Sequence, residues 1–234
     1  FIIICTPLSE YEKIFLACNK YSKKKTLITD VGSTKNDIIA KISRIKRKDI
    51  NWISSHPIAG SEVSGPQNGN ENLFVNKWTV IIKQKNLQSL EMKKIFKFWK
   101  FLGSKPVIMD ADQHDKIFAI TSHLPHLIAY NLILTATNFE ISNKNNVLRF
   151  SAGGLRDFSR IAASNEIMWR DIFFNNKKNM LKVIDNFIKN LKIFKQDIKS
   201  NRKNLETKLK NLKKVRQKIV LLKQDTSKPD FGRV

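Results

Sequence analysis

The sequence predicts an α/β protein: a partial, mostly parallel sheet followed by an all-helical region. Three observations carry this. Through the first 110 residues, short apolar runs bounded by turn residues alternate with helical periodicity, the pattern of strands joined by crossover helices. Near residue 111 the pattern changes to long helical repeats without strands. Within the first of these regions, a polar stretch, His56-Pro57-Ile58-Ala59-Gly60-Ser61-Glu62-Val63-Ser64-Gly65, directly follows an apolar run. In open α/β sheets the carboxyl ends of strands are where ligands sit.

Each element has its own signal. Residues 1–5 read as a buried strand. Ser9 is placed to cap a helix, with Glu12 completing a capping box and Ile14, Phe15 and Cys18 as the inner face. Thr26–Val31 reads as a second strand; Gly32 turns the chain, and Ser33 or Thr34 starts a helix with Ile38, Ile42 and Ile45 inward. Trp52–Ser55 is a third strand, after which Pro57, Gly60 and Gly65 imply a loop headed by His56. Trp78–Ile82 and Pro106–Met109 read as strands around a helix marked by Leu90, Ile95, Trp99 and Leu102. Asp112 can cap a helix running to about Asn138; it is apolar on nearly every side and so is expected to be buried. Residues 143–165 read as loop and short helix around a flexible Gly153-Gly154 pair, and Ser164 or Asn165 caps the turn into Met168-Trp169-Arg170. From Lys177 onward, Met180, Ile184, Phe187, Leu191, Phe194 and Ile198 form an apolar seam, continued by Leu205, Leu209, Leu212, Ile219 and Leu222. Such a seam suits helix packing or a dimer contact. Residues from Thr226 to Val234 read as a tail.

Composition sets limits. At 234 residues and 41% hydrophobic, the chain can bury a real core. The formal charge of +23 and pI of about 10.1 raise the possibility of a polyanion partner. Yet the lysines are spread along the chain, and no zinc-finger spacing, RNA-binding aromatic signature or basic zipper accompanies them. Nucleic-acid binding is therefore a minor reading; attraction of small anionic substrates is the milder consequence. Cys5 and Cys18 show no CxxC spacing and read as free thiols in a reducing cytoplasm. No apolar run approaches the roughly 18 residues of a membrane span, so no membrane partner is expected, and no secretory leader is evident. The chain opens mid-strand without Met, so an upstream segment is expected.

Three further constellations could carry chemistry. Asp30-Val31-Gly32-Ser33-Thr34-Lys35 lies at a strand-to-helix turn, where backbone N–H groups and the dipole favour anions. Ser122-His123-Leu124-Pro125-His126 puts two imidazoles one helical turn apart. That pair reads as a metal site without a clearly spaced third ligand, a satisfied core pair, or the polar floor of a pocket; no metal is assigned. Gly153-Gly154-Leu155-Arg156-Asp157-Phe158-Ser159-Arg160 sets two arginines four apart, either paired with Asp157 or available as a carboxylate clamp.

Taken together, Gly-Ser-Thr-Lys, then His-Pro-Ile-Ala-Gly-Ser-Glu-x-Ser-Gly, His-Asp with Ser-His-Leu-Pro-His, and Gly-Gly-Leu-Arg-Asp-Phe-Ser-Arg-Ile-Ala with Met-Trp-Arg-Asp-Ile make a specific pattern. In that order and spacing the chain resembles the prephenate/arogenate dehydrogenase family over roughly residues 1–200. The resemblance implies a Rossmann-like dinucleotide-binding domain over residues 1–110, N-terminally incomplete, and a helical substrate and dimerisation domain over 111–234. It implies NAD- or NADP-dependent oxidative decarboxylation of prephenate or arogenate in tyrosine biosynthesis, by a cytoplasmic homodimer. His56 would be the base that takes the ring-hydroxyl proton, and Ser33 would touch both that hydroxyl and the nicotinamide. Arg160 would bind a substrate carboxylate, while Glu62, His126, Gly153 and Trp169 line the substrate side. Thr6 and Pro7, with Ser33, would face the dinucleotide. No GxGxxG occurs in the sequence, whereas such a fold holds its pyrophosphate on that turn. A degenerate, non-catalytic helical dimer is therefore the rival reading.

Overall fold

The computed structural model describes residues 1–60, 65–84, 89–144, 146–200 and 204–222. Five strands, β1 (Ile2–Ile4), β2 (Leu27–Asp30), β3 (Asn51–Pro57), β4 (Trp78–Ile82) and β5 (Lys105–Met109), form one sheet in sequential order. Helices α1 (Tyr11–Tyr21) and α2 (Asn36–Ile45) make the first two crossovers, and α3 (Leu90–Phe101) joins β4 to β5. All pairings are parallel except β3 with β4.

That exception matters. β2 ends with Asp30 opposite Ser54, but β4 continues to pair with β3 through Ser55, His56 and Pro57. The end of β3 therefore projects past its parallel neighbour while remaining held on the other side. His56 is a strand residue, not the head of a loop, and its position is fixed by ladder bonds.

Alternation along the strands assigns the faces. Ile53 and Ile81 pack under Met92, Ile95 and Trp99 of α3. Ile4 and Ile28 pack on the opposite face with Tyr11, Phe15, Ile38 and Ile42. Two helix starts differ from the expectation. A short 3-10 turn at Leu8–Glu10 precedes α1, so Ser9 does not cap it; the Ser9 N–H instead donates to Asp171 Oδ2 at 3.0 Å. Helix α2 begins at Asn36 rather than at Ser33 or Thr34.

Beyond the sheet come α4 (Ala111–Phe118), a π-helical turn (Ala119–His123), α5 (Leu124–Asn143), α6 (Gly153–Ala162), α7 (Glu166–Asn175), α8 (Lys177–Lys199) and α9 (Leu205–Leu221). Asp112 is not the cap of this run: α4 follows Asp110. Asn165 does cap α7, accepting from the Met168 N–H at 2.9 Å. The Gly153-Gly154 pair is the first turn of α6 rather than a flexible loop. Trp169 and Ile172 of α7 enter the sheet's main core, which ties the helical region to β1 and β2.

The expectation that the long apolar helix is buried does not hold for the single chain. Within α5 only Ala129 is buried, and Leu134, Phe139 and Ile141 are exposed. The seam of α8 is buried at Met180 and half-buried at Ile184 and Phe187, but Leu191 and Ile198 lie open, as do Leu209 and Leu212 of α9. Taken as one unit, Ala111–Asn143 is long and apolar enough by length and composition to cross a membrane, although polar residues interrupt every apolar run within it. The physical reason for the mismatch is the same throughout: among the described residues, nothing in one copy covers these faces.

One buried ion pair holds the turn between β2 and α2. Lys35 is fully buried, and its ammonium donates to Asp30 Oδ2 (2.8 Å), Ser54 Oγ (2.9 Å) and the Ser55 carbonyl (2.6 Å). Asp30 also accepts from Tyr11 Oη, the Gly32 N–H and Trp52 Nε1. Removing one partner of such a pair strands a buried charge. Asp30→Ala is expected to lower unfolding stability by about 3–5 kcal/mol, read from urea denaturation; a loss below about 1 kcal/mol, as for an exposed pair, would contradict this account.

Candidate active site

A cleft of about 490 Å³ opens where the projecting end of β3 meets the helical region. Its sheet side carries Ser33, His56, Pro57, Ile58 and Lys77; its helical side carries Phe118, Ser122, His126, Arg160, Met168 and Trp169. A second cavity of about 430 Å³, lined by Cys5, Thr6, Pro7, Gly32, Ser33 and Gly65, shares Ser33, Met168 and Ile172 with the first. Ser33 thus stands at the junction of the two spaces.

His56 is the most constrained group in the cleft. Its Nδ1 lies 2.8 Å from Nε2 of His114, and Nδ1 of His114 lies 2.8 Å from Oδ1 of Asp115. Phe118 packs against both rings at centroid distances of 4.9 and 4.5 Å. The Asp115 carboxylate accepts the backbone N–H groups of Lys35 (2.9 Å) and Asn36 (2.8 Å), at the N-terminus of α2. Burial holds the His56 imidazole well below its usual range, reinforced by the neighbouring His114, Lys35 and His123. Burial likewise lowers His114, against the opposing pull of Asp115. A neutral imidazole lining a polar cleft is a proton acceptor near pH 7.

The His123/His126 pair divides into two roles. His126 Nδ1 lies 2.9 Å from the Ser122 carbonyl, and the ring stacks on Trp169 at 3.7 Å, making a flat wall of the cleft. His123 is buried beside Asn176, whose Nδ2 lies 3.2 Å from His123 Nδ1; it belongs to the core.

The structure brings His56, Ser33, His126, Trp169 and Arg160 to one cleft, and Thr6 and Pro7 to the adjoining cavity. It does not bring Gly153 there: α6 reaches the cleft with its last turn, and its first turn faces open space. Glu62 lies outside the described residues. Sequence reasoning had not assigned roles to His114, Asp115, Phe118 or Lys77. The first three had a signal, since His114 and Phe118 lie i, i+4 on one face of α4 with Asp115 beside them. Lys77 had none among 43 basic residues.

A Rossmann-like α/β unit that shares a crevice at its strand ends with a helical unit defines the class of protein. Residues 1–108 match the prephenate dehydrogenase nucleotide-binding domain, and residues 110–215 match the prephenate dehydrogenase dimerization domain. The chain is 34% identical over 191 residues to the cyclohexadienyl dehydrogenase of Zymomonas mobilis, covering 82% of this chain and 65% of the relative. It is 32% identical over 203 residues to the prephenate dehydrogenase of Lactococcus lactis, covering 84% and 55%. The chain thus spans between about half and two thirds of the length of these curated relatives. Among solved structures, the prephenate dehydrogenase of Aquifex aeolicus in complex with hydroxyphenyl propionate and NAD+ superposes with a TM-score of 0.85 at 31% identity, covering 93% of this chain and 75% of that one. The chain belongs to the prephenate dehydrogenase family.

The buried imidazoles make stability pH-dependent. Burial pushes His123 down from 6.5 to about 4 in the folded chain. The unfolded chain therefore binds more protons between those values, and stability falls as pH drops from 6.5 towards 4. The loss is on the order of 3 kcal/mol from His123. Unfolding near pH 5 should take up protons, and His123→Gln should flatten the slope; an identical slope in the variant would contradict the assignment.

Proposed function

We propose that this chain carries the active site of an NAD-dependent dehydrogenase that converts prephenate, or its amino counterpart arogenate, to 4-hydroxyphenylpyruvate or tyrosine. One observation carries the reading: a neutral imidazole, His56, and a guanidinium, Arg160, line the same cleft, with the flat His126–Trp169 wall on its helical side. The substrate is a six-membered ring with a hydroxyl at one end and carboxylates towards the other, so a base and cations in one cleft suit it.

In this reading His56 takes the proton of the ring hydroxyl as hydride leaves the carbon that bears it. The C–CO2 bond then breaks, its electron pair enters the ring, and the imidazolium returns the proton to the phenolate oxygen. NAD+, when bound, supplies the hydride acceptor. The paired cavities support that fit, because Thr6, Pro7 and Ser33 line a space that meets the substrate cleft at Ser33. In this reading Ser33, which lines both spaces, orients the hydroxyl. Arg160 and Lys77 are the cations lining the cleft among the described residues, and they suit a dicarboxylate.

The division of labour follows: residues 1–110 as the dinucleotide-binding unit and 111–234 as the substrate and dimerisation unit. A second copy of the chain is the covering surface for the exposed faces of α5 and α8, which the description of the matching family domain supports. The enzyme is read as cytoplasmic, in keeping with its free cysteines, Cys5 and Cys18.

The test is prephenate-dependent formation of NADH. His56→Asn, which keeps the shape but loses the base, should lower kcat by about two to four orders of magnitude. Arg160→Gln and Lys77→Gln should each raise KM by about tenfold or more with smaller effects on kcat. Equal turnover for His56→Asn and the parent protein would refute the assigned base.

A further inference from the structure

Two groups outside the proposed substrate contacts decide whether His56 can be a base at all. A neutral imidazole has one N–H and one lone pair, and the hydrogen bond made by one nitrogen fixes which is which. Free imidazoles do not choose strongly, so in a folded protein the neighbour chooses.

Here the choice can be followed from a fixed end. The two N–H groups that Asp115 accepts belong to the backbone of Lys35 and Asn36 and can only donate. They also stand at the N-terminus of α2, where a negative charge is favoured. Asp115 is therefore an acceptor on both oxygens, and the hydrogen on the 2.8 Å contact to His114 must sit on His114 Nδ1. A neutral His114 then has its lone pair on Nε2. That atom lies 2.8 Å from His56 Nδ1, which must in turn be the donor. The remaining nitrogen of His56, Nε2, carries the lone pair. Resting on the reading of His56 as the base, we propose that Asp115 and His114 are positioning residues that set His56 in its Nδ1–H tautomer and so leave Nε2 as the proton acceptor for the substrate hydroxyl.

The surroundings keep the chain of bonds dry and in register. His114 and Asp115 are buried, and the rings of His56 and His114 pack edge-on to each other and against Phe118. The Asn176 side chain donates to the backbone carbonyl of Asp115 at 2.8 Å, fixing α4 at this point. The charged and titratable groups around His56 are Lys35, whose ammonium bonds the Ser55 carbonyl, and His114 and His123. Among the described residues, the Asp115 carboxylate reaches the His56 ring through His114. The same carboxylate holds the turn that carries Ser33, so one group aligns both residues proposed to meet the hydroxyl.

The experiment reads tautomers directly. Nitrogen-15 NMR of the full chain with labelled histidine, without substrate, should show both His56 and His114 as Nδ1–H tautomers, each assigned by its loss in His56→Asn or His114→Phe. In His114→Phe, which keeps an aromatic ring but no acceptor, His56 should lose that enforced state. Its kcat should fall about 10- to 100-fold, with KM for prephenate within about twofold. An Nε2–H tautomer for His56 in the parent protein would overturn the proposal, and this holds even if His114→Phe does not fold. Unchanged kcat in a folded His114→Phe would overturn it too. Failure here is distinct from failure of the functional reading: loss of turnover in His56→Asn together with an Nε2–H His56 would sink the relay and leave the base in place.

Discussion

The site depends on the Asp115 carboxylate. It is the first carboxylate after the sheet to be buried, and it is satisfied from two directions. From the sheet side it accepts the first backbone N–H groups of α2; from its own helix it accepts His114. A buried charge is tolerated only when its oxygens are met, so the sheet and the helical region cannot part here without stranding it. That requirement fixes the helical wall of the cleft relative to the strand that carries His56.

A second buried charge, the Lys35 ammonium, repeats the arrangement on a residue that already bonds Asp115. The Lys35 ammonium ties Asp30 at the end of β2 to Ser54 and Ser55 of β3. Its main-chain N–H holds Asp115 while its side chain holds the strands, so Lys35 links both networks. Together they replace what a loop would need in sequence-specific turns. Burial is the larger cause of His56 staying neutral, and the neighbouring His114, Lys35 and His123 add to it. Precision at this site comes from satisfied polar groups, whereas the apolar clusters on either side supply bulk stability.

Much of the fold was legible in the sequence because its signals are local. Apolar runs of four or five residues marked the strands, and Asn165 announced its helix by ordinary capping chemistry. The misses came where partners distant in sequence decide. The antiparallel β3–β4 pairing extends β3 through His56, and nothing between residues 52 and 57 reveals which neighbour it has. Ser9 looked like a cap but its N–H serves Asp171, 162 residues away. Burial of α5 was misjudged because hydrophobicity says that a face must be covered, not by whom. At the site, the histidine, serine and arginine were legible through motif spacing. The His114–Asp115 pair passed as part of a motif without a role, since its function rests on contacts of 58 and 80 residues' separation.

Both halves of the account meet in the placement of one ring. The most direct measurement is a crystal structure of this chain with NAD+ and hydroxyphenyl propionate bound. The account requires the phenolic oxygen within hydrogen-bonding distance of His56 Nε2, the ring flanked by the His126–Trp169 wall, and the carboxylate directed to Arg160. A ring bound elsewhere, or bound in this cleft with its hydroxyl turned away from His56, would contradict it.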